Sequence, residues 1–152
     1  NSLEFVKYTK SYNVDIIFTI NVVTIFKKKT ISDLNFKLIN IHIGDLNLYR
    51  GSFIIFHSLY NKEQFLNITS HFIIKTIDSG EIIDQITIDL NKFSNIYDVY
   101  SYAFNKQFNL LINTSKKINV NLNRIPIENI KIKRNIKKSP TILEICKFLF
   151  NF

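Results

Sequence analysis

Hydrophobic and polar positions alternate through much of the first ninety residues. Between Asn35 and Ile43 the apolar positions Ile39, Ile41 and Ile43 fall on one face, and His42 falls on the other. From Glu81 to Leu90 the positions Ile82, Ile86, Ile88 and Leu90 share a side. Leu66, Ile68, Phe72 and Ile74 are in phase within Leu66–Ile77. A period of two is the mark of a strand with one buried face. Asn13–Phe26 and Ser52–Tyr60 are rich in Ile, Val, Thr and Phe and read as further strands. Lys27-Lys28-Lys29, Gly44-Asp45 and Ser79-Gly80 punctuate these segments as turns. Strands at this spacing favour antiparallel pairing.

The pattern then changes period. Ile96, Val99, Tyr100, Ala103, Phe108, Leu110 and Leu111 form a helical stripe within Ser94–Ser115, with Ser94 available as a cap and Asp98 in the first turn. Ile118–Leu122 returns to alternation. Ile130, Ile132 and Ile136 interleave with Lys131, Lys133 and Arg134, giving a strand with one apolar and one basic edge. Ser139-Pro140 then reads as a helix start, with Ser as cap and Pro at the first helical position, before Ile142, Leu143, Cys146 and Leu149. The expected fold is α+β. A β-rich antiparallel part spans residues 1–81, and a basic split βαββα sheet with two helices on one face spans 82–152.

Composition adds a different kind of information. The chain has 28 Ile, 19 Asn, 17 Lys and 14 Phe, but a single Ala, Ala103. Ala is the best helix former, so folding alone does not exclude it. The bias points to an AT-rich reduced genome, such as that of a mitochondrion, a plastid, an endosymbiont or some viruses, and a mitochondrial location is expected, with another AT-rich organelle as the alternative. Met is absent even at position 1, which is expected of a processed, truncated or excised chain.

Charge is segregated. Residues 1–115 hold 11 Lys or Arg against 10 Asp or Glu, whereas 116–152 hold 9 against 2. The nine are Lys116, Lys117, Arg124, Lys131, Lys133, Arg134, Lys137, Lys138 and Lys147. A concentrated positive field attracts polyanions, and phosphate contacts gain from counterion release. The expected RNA-binding residues are Lys116, Lys117, Arg124, Lys131, Lys133, Arg134, Lys137 and Lys138.

Candidate chemistry is sparse. His42, His57 and His71 lie singly in strand-like segments without metal-ligand spacing, and each is expected to be a half-exposed strand residue. Gly44, Gly51 and Gly80 are too dispersed for a phosphate loop. Asp84 and Asp89 could come close, but paired carboxylates on one strand are commonplace. Cys146 stands alone, so neither a disulfide within the chain nor a cysteine-based metal cluster is possible. No span is long and apolar enough for a transmembrane helix. The expectation is a binding protein with no catalytic residues, no metal, no cofactor and no small-molecule substrate.

Residues 86–150 resemble the universal small-subunit ribosomal protein S-ten family. The resemblance rests on Leu90-Asn91-Lys92-Phe93 ending a strand, the long helix 94–115, Ile125-Pro126-Ile127 in a loop, and Ser139-Pro140 opening a second helix. Asn123-Arg124 stands where the family has Gly-Pro, and the family's His-x-Asn segment and final basic strand have no counterpart. The resemblance implies a structural constituent of an organellar small ribosomal subunit, contacting rRNA and neighbouring ribosomal proteins through its basic loop and strand. Two alternatives come from other classes. One is an accessory structural subunit of a mitochondrial respiratory or ATP synthase complex. The other is a viral capsid jelly roll, suggested by Leu48-Tyr49-Arg50-Gly51-Ser52-Phe53.

Overall fold

A computed structural model describes residues 3–12, 14–22, 25–34, 37–118 and 136–151. The elements are α1 (Leu3–Ser11), β1 (Ile16–Ile20), α2 (Lys28–Asp33), β2 (Lys37–Ile43), α3 (Ile54–Tyr60), β3 (Phe65–Phe72), β4 (Ile82–Asp89), α4 (Ile96–Ile118) and α5 (Ile142–Asn151), with a short 3-10 turn at Leu90–Lys92. The protein is mixed α+β, and the strands among the described residues form one four-stranded sheet in the order β1-β2-β3-β4.

The sheet is mixed. β1 and β2 pair in parallel, with Ile16 opposite Lys37 and Ile20 opposite Ile41. β2–β3 and β3–β4 are antiparallel. A parallel pair cannot be closed by a hairpin and needs a long crossover. The segment carrying α2 supplies it. The first part of the chain is therefore not the purely antiparallel assembly that alternation suggested.

One face of the sheet packs under α4. Val99, Ala103, Gln107, Leu110, Thr114 and Ile118 are buried along that helix at spacings of three and four. They meet Ile39 and Ile41 of β2, Leu66 and Ile68 of β3, and Ile88 of β4 in one core. Each fully buried Leu or Ile contributes roughly 1.5–3 kcal/mol relative to exposure. Ala103 is fully buried in this core, where its small side chain allows close approach of helix and sheet. Two polar side chains on the buried stripe are satisfied. Gln107 donates to the Ile41 carbonyl at 2.9 Å, and Thr114 donates to Ser70 Oγ at 2.9 Å.

Several expectations change. Ser52–Tyr60 is not a strand, since Ile54–Tyr60 forms α3, with Ile54, Ile55, Phe56, His57 and Ser58 all buried. A short apolar run buried on every side carries no period that separates strand from helix. Lys28 and Lys29 open α2 rather than a turn. Asn95, not Ser94, caps α4, its Oδ1 accepting from the Asp98 N–H at 2.9 Å. Gln107 takes the buried place in the stripe, while Phe108 is 59% exposed. Thr141, not Ser139, caps α5 through a reciprocal box with Glu144. Glu144 N–H donates to Thr141 Oγ1 at 3.3 Å and the Glu144 carboxylate accepts from Thr141 N at 2.7 Å. These bonds hold the exposed Glu144 carboxyl below its usual value. The strands expected at 118–122 and 130–136 fall, beyond Ile118 and before Ile136, outside the described residues, as does the Ile125-Pro126-Ile127 loop.

Candidate active site

The face of the sheet away from α4 carries polar groups in a row set by register. Thr19 pairs with Asn40 across β1–β2, and Asn40 pairs with His71 across β2–β3. His42 follows Asn40 by two positions, so both side chains stand on the same face. Thr19 donates to Asn40 Oδ1 at 3.0 Å. That bond fixes the amide, leaving its N–H side towards the open face.

Asp78 arrives from the β3–β4 connection with φ 44. Its Oδ1 lies 3.5 Å from Asn40 Nδ2 and 3.6 Å from His71 Nε2. Its Oδ2 accepts the Gly51 N–H at 2.8 Å and lies 3.8 Å from His42 Nδ1. Three segments distant in sequence thus converge on one carboxylate.

The β2–α3 connection is held rigid around this point. Asp45 accepts from Asn47 N at 2.7 Å and from Asn67 Nδ2 at 3.0 Å, and Thr69 donates to the Gly44 carbonyl at 2.7 Å. The connection therefore presents the Tyr49 carbonyl to His42 Nε2 at 3.0 Å and the Gly51 N–H to Asp78. Gly51 has φ 95, and its backbone passes directly against Lys137, with Lys137 N–H donating to the Arg50 carbonyl at 2.7 Å.

Burial would by itself push the Asp78 carboxyl up. His71, His42 and the Gly51 N–H outweigh it and hold the group well below the usual carboxylate range. Asp78 is thus ionised at neutral pH. Burial pushes His42 below its ordinary 6.5, against the pull of Asp78, so its ring is neutral there. The Tyr49 carbonyl can only accept, so the His42 proton sits on Nε2 and the Nδ1 lone pair faces the site. The group offers a fixed amide donor, a neutral imidazole and an ionised carboxylate, the parts needed for acid–base chemistry on a polarised carbonyl.

These residues sit in a cavity of about 1040 Å³. Its lining includes the apolar side chains of Val22, Ile25, Phe26, Ile73 and Phe104. Tyr100 of α4 also lines it, and burial raises its phenol above the usual value. Three non-glycine residues with positive φ, Asn21, Phe53 and Asp78, border the cavity. Strained backbone of this kind gathers at functional sites. Among the described residues, no group of three or more His, Cys, Asp or Glu is placed to hold a metal ion, and no helix is long and apolar enough to cross a membrane.

The structure describes four of the eight expected basic residues, two near the end of α4 and two on the cavity lining. Lys117 pairs with Asp84 at 2.8 Å and Lys116 is exposed near the end of α4. Lys137 and Lys138 line the cavity, and the Lys138 carbonyl lies 2.9 Å from His57 Nε2. Arg124, Lys131, Lys133 and Arg134 lie outside the described residues. The histidines are not half-exposed: His42 is 7%, His57 8% and His71 1% exposed, and His57 belongs to a helix. In the sequence, a sign of the site is that Asn40 and His42 fall on one face of an alternating segment.

Comparison with known proteins assigns the class to which this fold belongs. No family model matches the chain. The chain is 25% identical over 115 residues to the methionyl-tRNA formyltransferase of Borrelia hermsii (strain HS1 / DAH), covering 76% of the chain and 37% of that relative. A 4-N formyltransferase from Francisella tularensis superposes with a TM-score of 0.66 at 25% identity, over 95% of this chain and 64% of that one. A sugar 3N-formyl transferase, solved in the presence of dTDP and 5-N-formyl-THF, superposes with a TM-score of 0.63 at 26% identity, over 88% of this chain and 47% of that one. The fold is that of formyltransferases, and the chain spans little more than a third of the length of the curated relatives it matches.

These matches overturn the ribosomal reading, and with it the S-ten resemblance and the rRNA-scaffold role. The short motifs behind that resemblance are strand ends and helix starts, which many α+β proteins share. The capsid reading falls too, because Leu48–Phe53 forms the connection that presents Gly51 to Asp78. The accessory-subunit reading has the same fate. The expectations of a non-enzyme and of no small-molecule substrate are also overturned, since the relatives are enzymes and one was solved with a folate and a nucleotide.

Proposed function

We propose that this chain carries the site for transfer of a formyl group from a formylated tetrahydrofolate to an amine. The observation that carries this reading is the convergence of Asn40, His42 and Asp78 in a cavity that also has apolar lining. The apolar lining suits a flat heteroaromatic ring, and the converging polar groups suit the reacting carbonyl.

The amine nitrogen attacks the formyl carbon, and the carbonyl oxygen gains negative charge. Asn40 Nδ2, held by Thr19, donates to that oxyanion. Asp78 accepts the proton released by the attacking amine. The bond from the formyl carbon to the folate nitrogen then breaks, and that nitrogen takes up a proton. His42 Nδ1, facing Asp78, can pass the proton between the two nitrogens. Lys137 and Lys138 on the cavity lining favour an anionic donor or acceptor.

The test is direct. The protein is incubated with 10-formyltetrahydrofolate and a panel of amines that includes amino-sugar nucleotides and methionyl-tRNA, and tetrahydrofolate release is followed by absorbance. Transfer to at least one acceptor, reduced on the order of 10²-fold or more in Asp78→Asn, supports the reading. Absence of transfer to every acceptor, or full activity in Asp78→Asn, sinks it.

A further inference from the structure

Gln107 interrupts the apolar stripe of α4. It is only 1% exposed and stands between Ala103 and Leu110, both fully buried against the sheet. A buried amide costs free energy unless its hydrogens and oxygen are bonded, so an apolar side chain would be the simpler filling for this position. The Gln107 amide is bonded at both ends. Its Nε2 donates to the Ile41 carbonyl at 2.9 Å and to Asn21 Oδ1 at 3.2 Å, and its Oε1 accepts from Asn21 Nδ2 at 3.1 Å.

The three bonds fix one another. The Ile41 carbonyl can only accept, so the nitrogen of Gln107 must face it. The second hydrogen and the oxygen of that amide then face Asn21, which answers oxygen to nitrogen and nitrogen to oxygen. Two amides 86 positions apart are locked head to head.

The place of this pair in the fold gives it a consequence for the cavity. Ile20 opposite Ile41 is the last pair of the parallel ladder. β1 ends there, and the chain turns at Asn21 with φ 52. Asn enters this left-handed region more readily than most residues, yet it stays a minor conformation unless something holds it. Asn21 is exposed and lines the cavity, and Val22, Ile25 and Phe26 after it belong to the same lining. Phe104 and Tyr100 of α4, three and seven positions before Gln107, line it as well. Gln107 thus clamps the turn that begins the apolar lining to the helix that adds two aromatic rings to it.

We propose that Gln107 is a positioning residue for the formyl donor, holding the left-handed turn at Asn21 and with it the apolar lining against which the folate ring rests. The inference rests on the reading of the cavity as a folate site. The role concerns donor binding and not proton transfer. Gln107 bonds the lining and a backbone carbonyl, whereas Asn40, His42 and Asp78 are held by Thr19, the Tyr49 carbonyl and the Gly51 N–H.

The first arm of the test is calorimetric titration of the full chain with 5-formyltetrahydrofolate. Gln107→Leu is expected to bind it roughly 10-fold more weakly than the unaltered protein. Asn21→Gly leaves the left-handed turn accessible to the backbone but deletes the second amide. In that background Gln107→Leu should cost little more, because the pair it breaks is already gone. Unchanged binding in a folded Gln107→Leu, or an equal further loss in the Asn21→Gly background, overturns the inference. An unaltered protein that does not bind the folate rejects the folate reading and the inference with it, so the two failures are told apart. If Gln107→Leu fails to fold, Asn21→Gly alone decides: weaker binding supports the clamp and unchanged binding rejects it.

The second arm is kinetic. In Gln107→Leu the KM for 10-formyltetrahydrofolate should rise by about the same factor, while kcat at saturating donor stays within about two-fold. A general loosening of the fold would do the reverse, lowering the amount of active protein and hence kcat with the donor KM in place. A fall in kcat with an unmoved donor KM rejects the role.

Discussion

The amide nitrogen of Asn40 and the carboxylate of Asp78, 38 positions apart in the chain, stand 3.5 Å from each other. Asn40→Asp preserves shape and still accepts from Thr19, but it replaces a donor with a second carboxylate. Two like charges at this distance cannot both ionise freely, so one is pushed up in pKa. Formyl transfer is expected to fall by about 10²-fold, as it does on loss of an oxyanion donor. A steady-state assay with 10-formyltetrahydrofolate measures this, and a wild-type rate would remove Asn40 from the mechanism.

Stability depends on pH through His42 and Asp78. His42 titrates below 6.5 in the folded chain, so the unfolded chain takes up its proton first. The folded state therefore loses stability as pH falls through about 6.5 towards the folded value. Asp78 titrates below its ordinary 3.8 when folded. Its contribution is full above that pH and is lost as pH falls further. Melting temperatures between pH 8 and 5 should drop in the unaltered protein and stay flatter in His42→Gln. Equal slopes in the two proteins would show that His42 is not the group responsible.

Leu110 and Ala103 test the contact between α4 and the sheet, since both are fully buried. Leu110→Ala leaves a cavity and should cost about 2–5 kcal/mol. Ala103→Leu overpacks the same interface and should cost about 1–3 kcal/mol. Urea denaturation gives both values. A neutral Ala103→Leu would mean that the helix can move away from the sheet.

Gly51 joins the site to the segment carrying Lys137. At φ 95 an added Cβ is strained, and it would meet the Lys137 carbonyl and the Ile136 side chain. Gly51→Ala should therefore displace the N–H that Asp78 accepts, lowering both stability and transfer rate. Its backbone amide resonance should shift in NMR. Unchanged activity would show that Asp78 does not depend on this hydrogen bond.

Legibility differed sharply between elements. The alternation in 37–43 and 82–89 identified β2 and β4, because each has a polar and an apolar face. The stripe in 96–118 identified α4 for the same reason at the helical period. α3 was misread because its middle is buried all round. The Lys28–Asp33 helix was misread because its charged first turn looks like a solvated break. His71 was misread as half-exposed because its face of the sheet is covered by the β3–β4 connection that carries Asp78, which periodicity along β3 does not report.

The sequence by itself determined an α+β protein, the strand character of β2, β3 and β4, and the long helix that covers them. Local periodicity reports one-sided burial, and it needs no knowledge of neighbours. Only the tertiary structure decided the site. Asn40, His42, His71 and Asp78 are ordinary residues until the Asn40–His71 register and the β3–β4 connection bring them to one carboxylate. Their chemistry comes from mutual distance and shared burial, which belong to the folded chain and not to any segment of it.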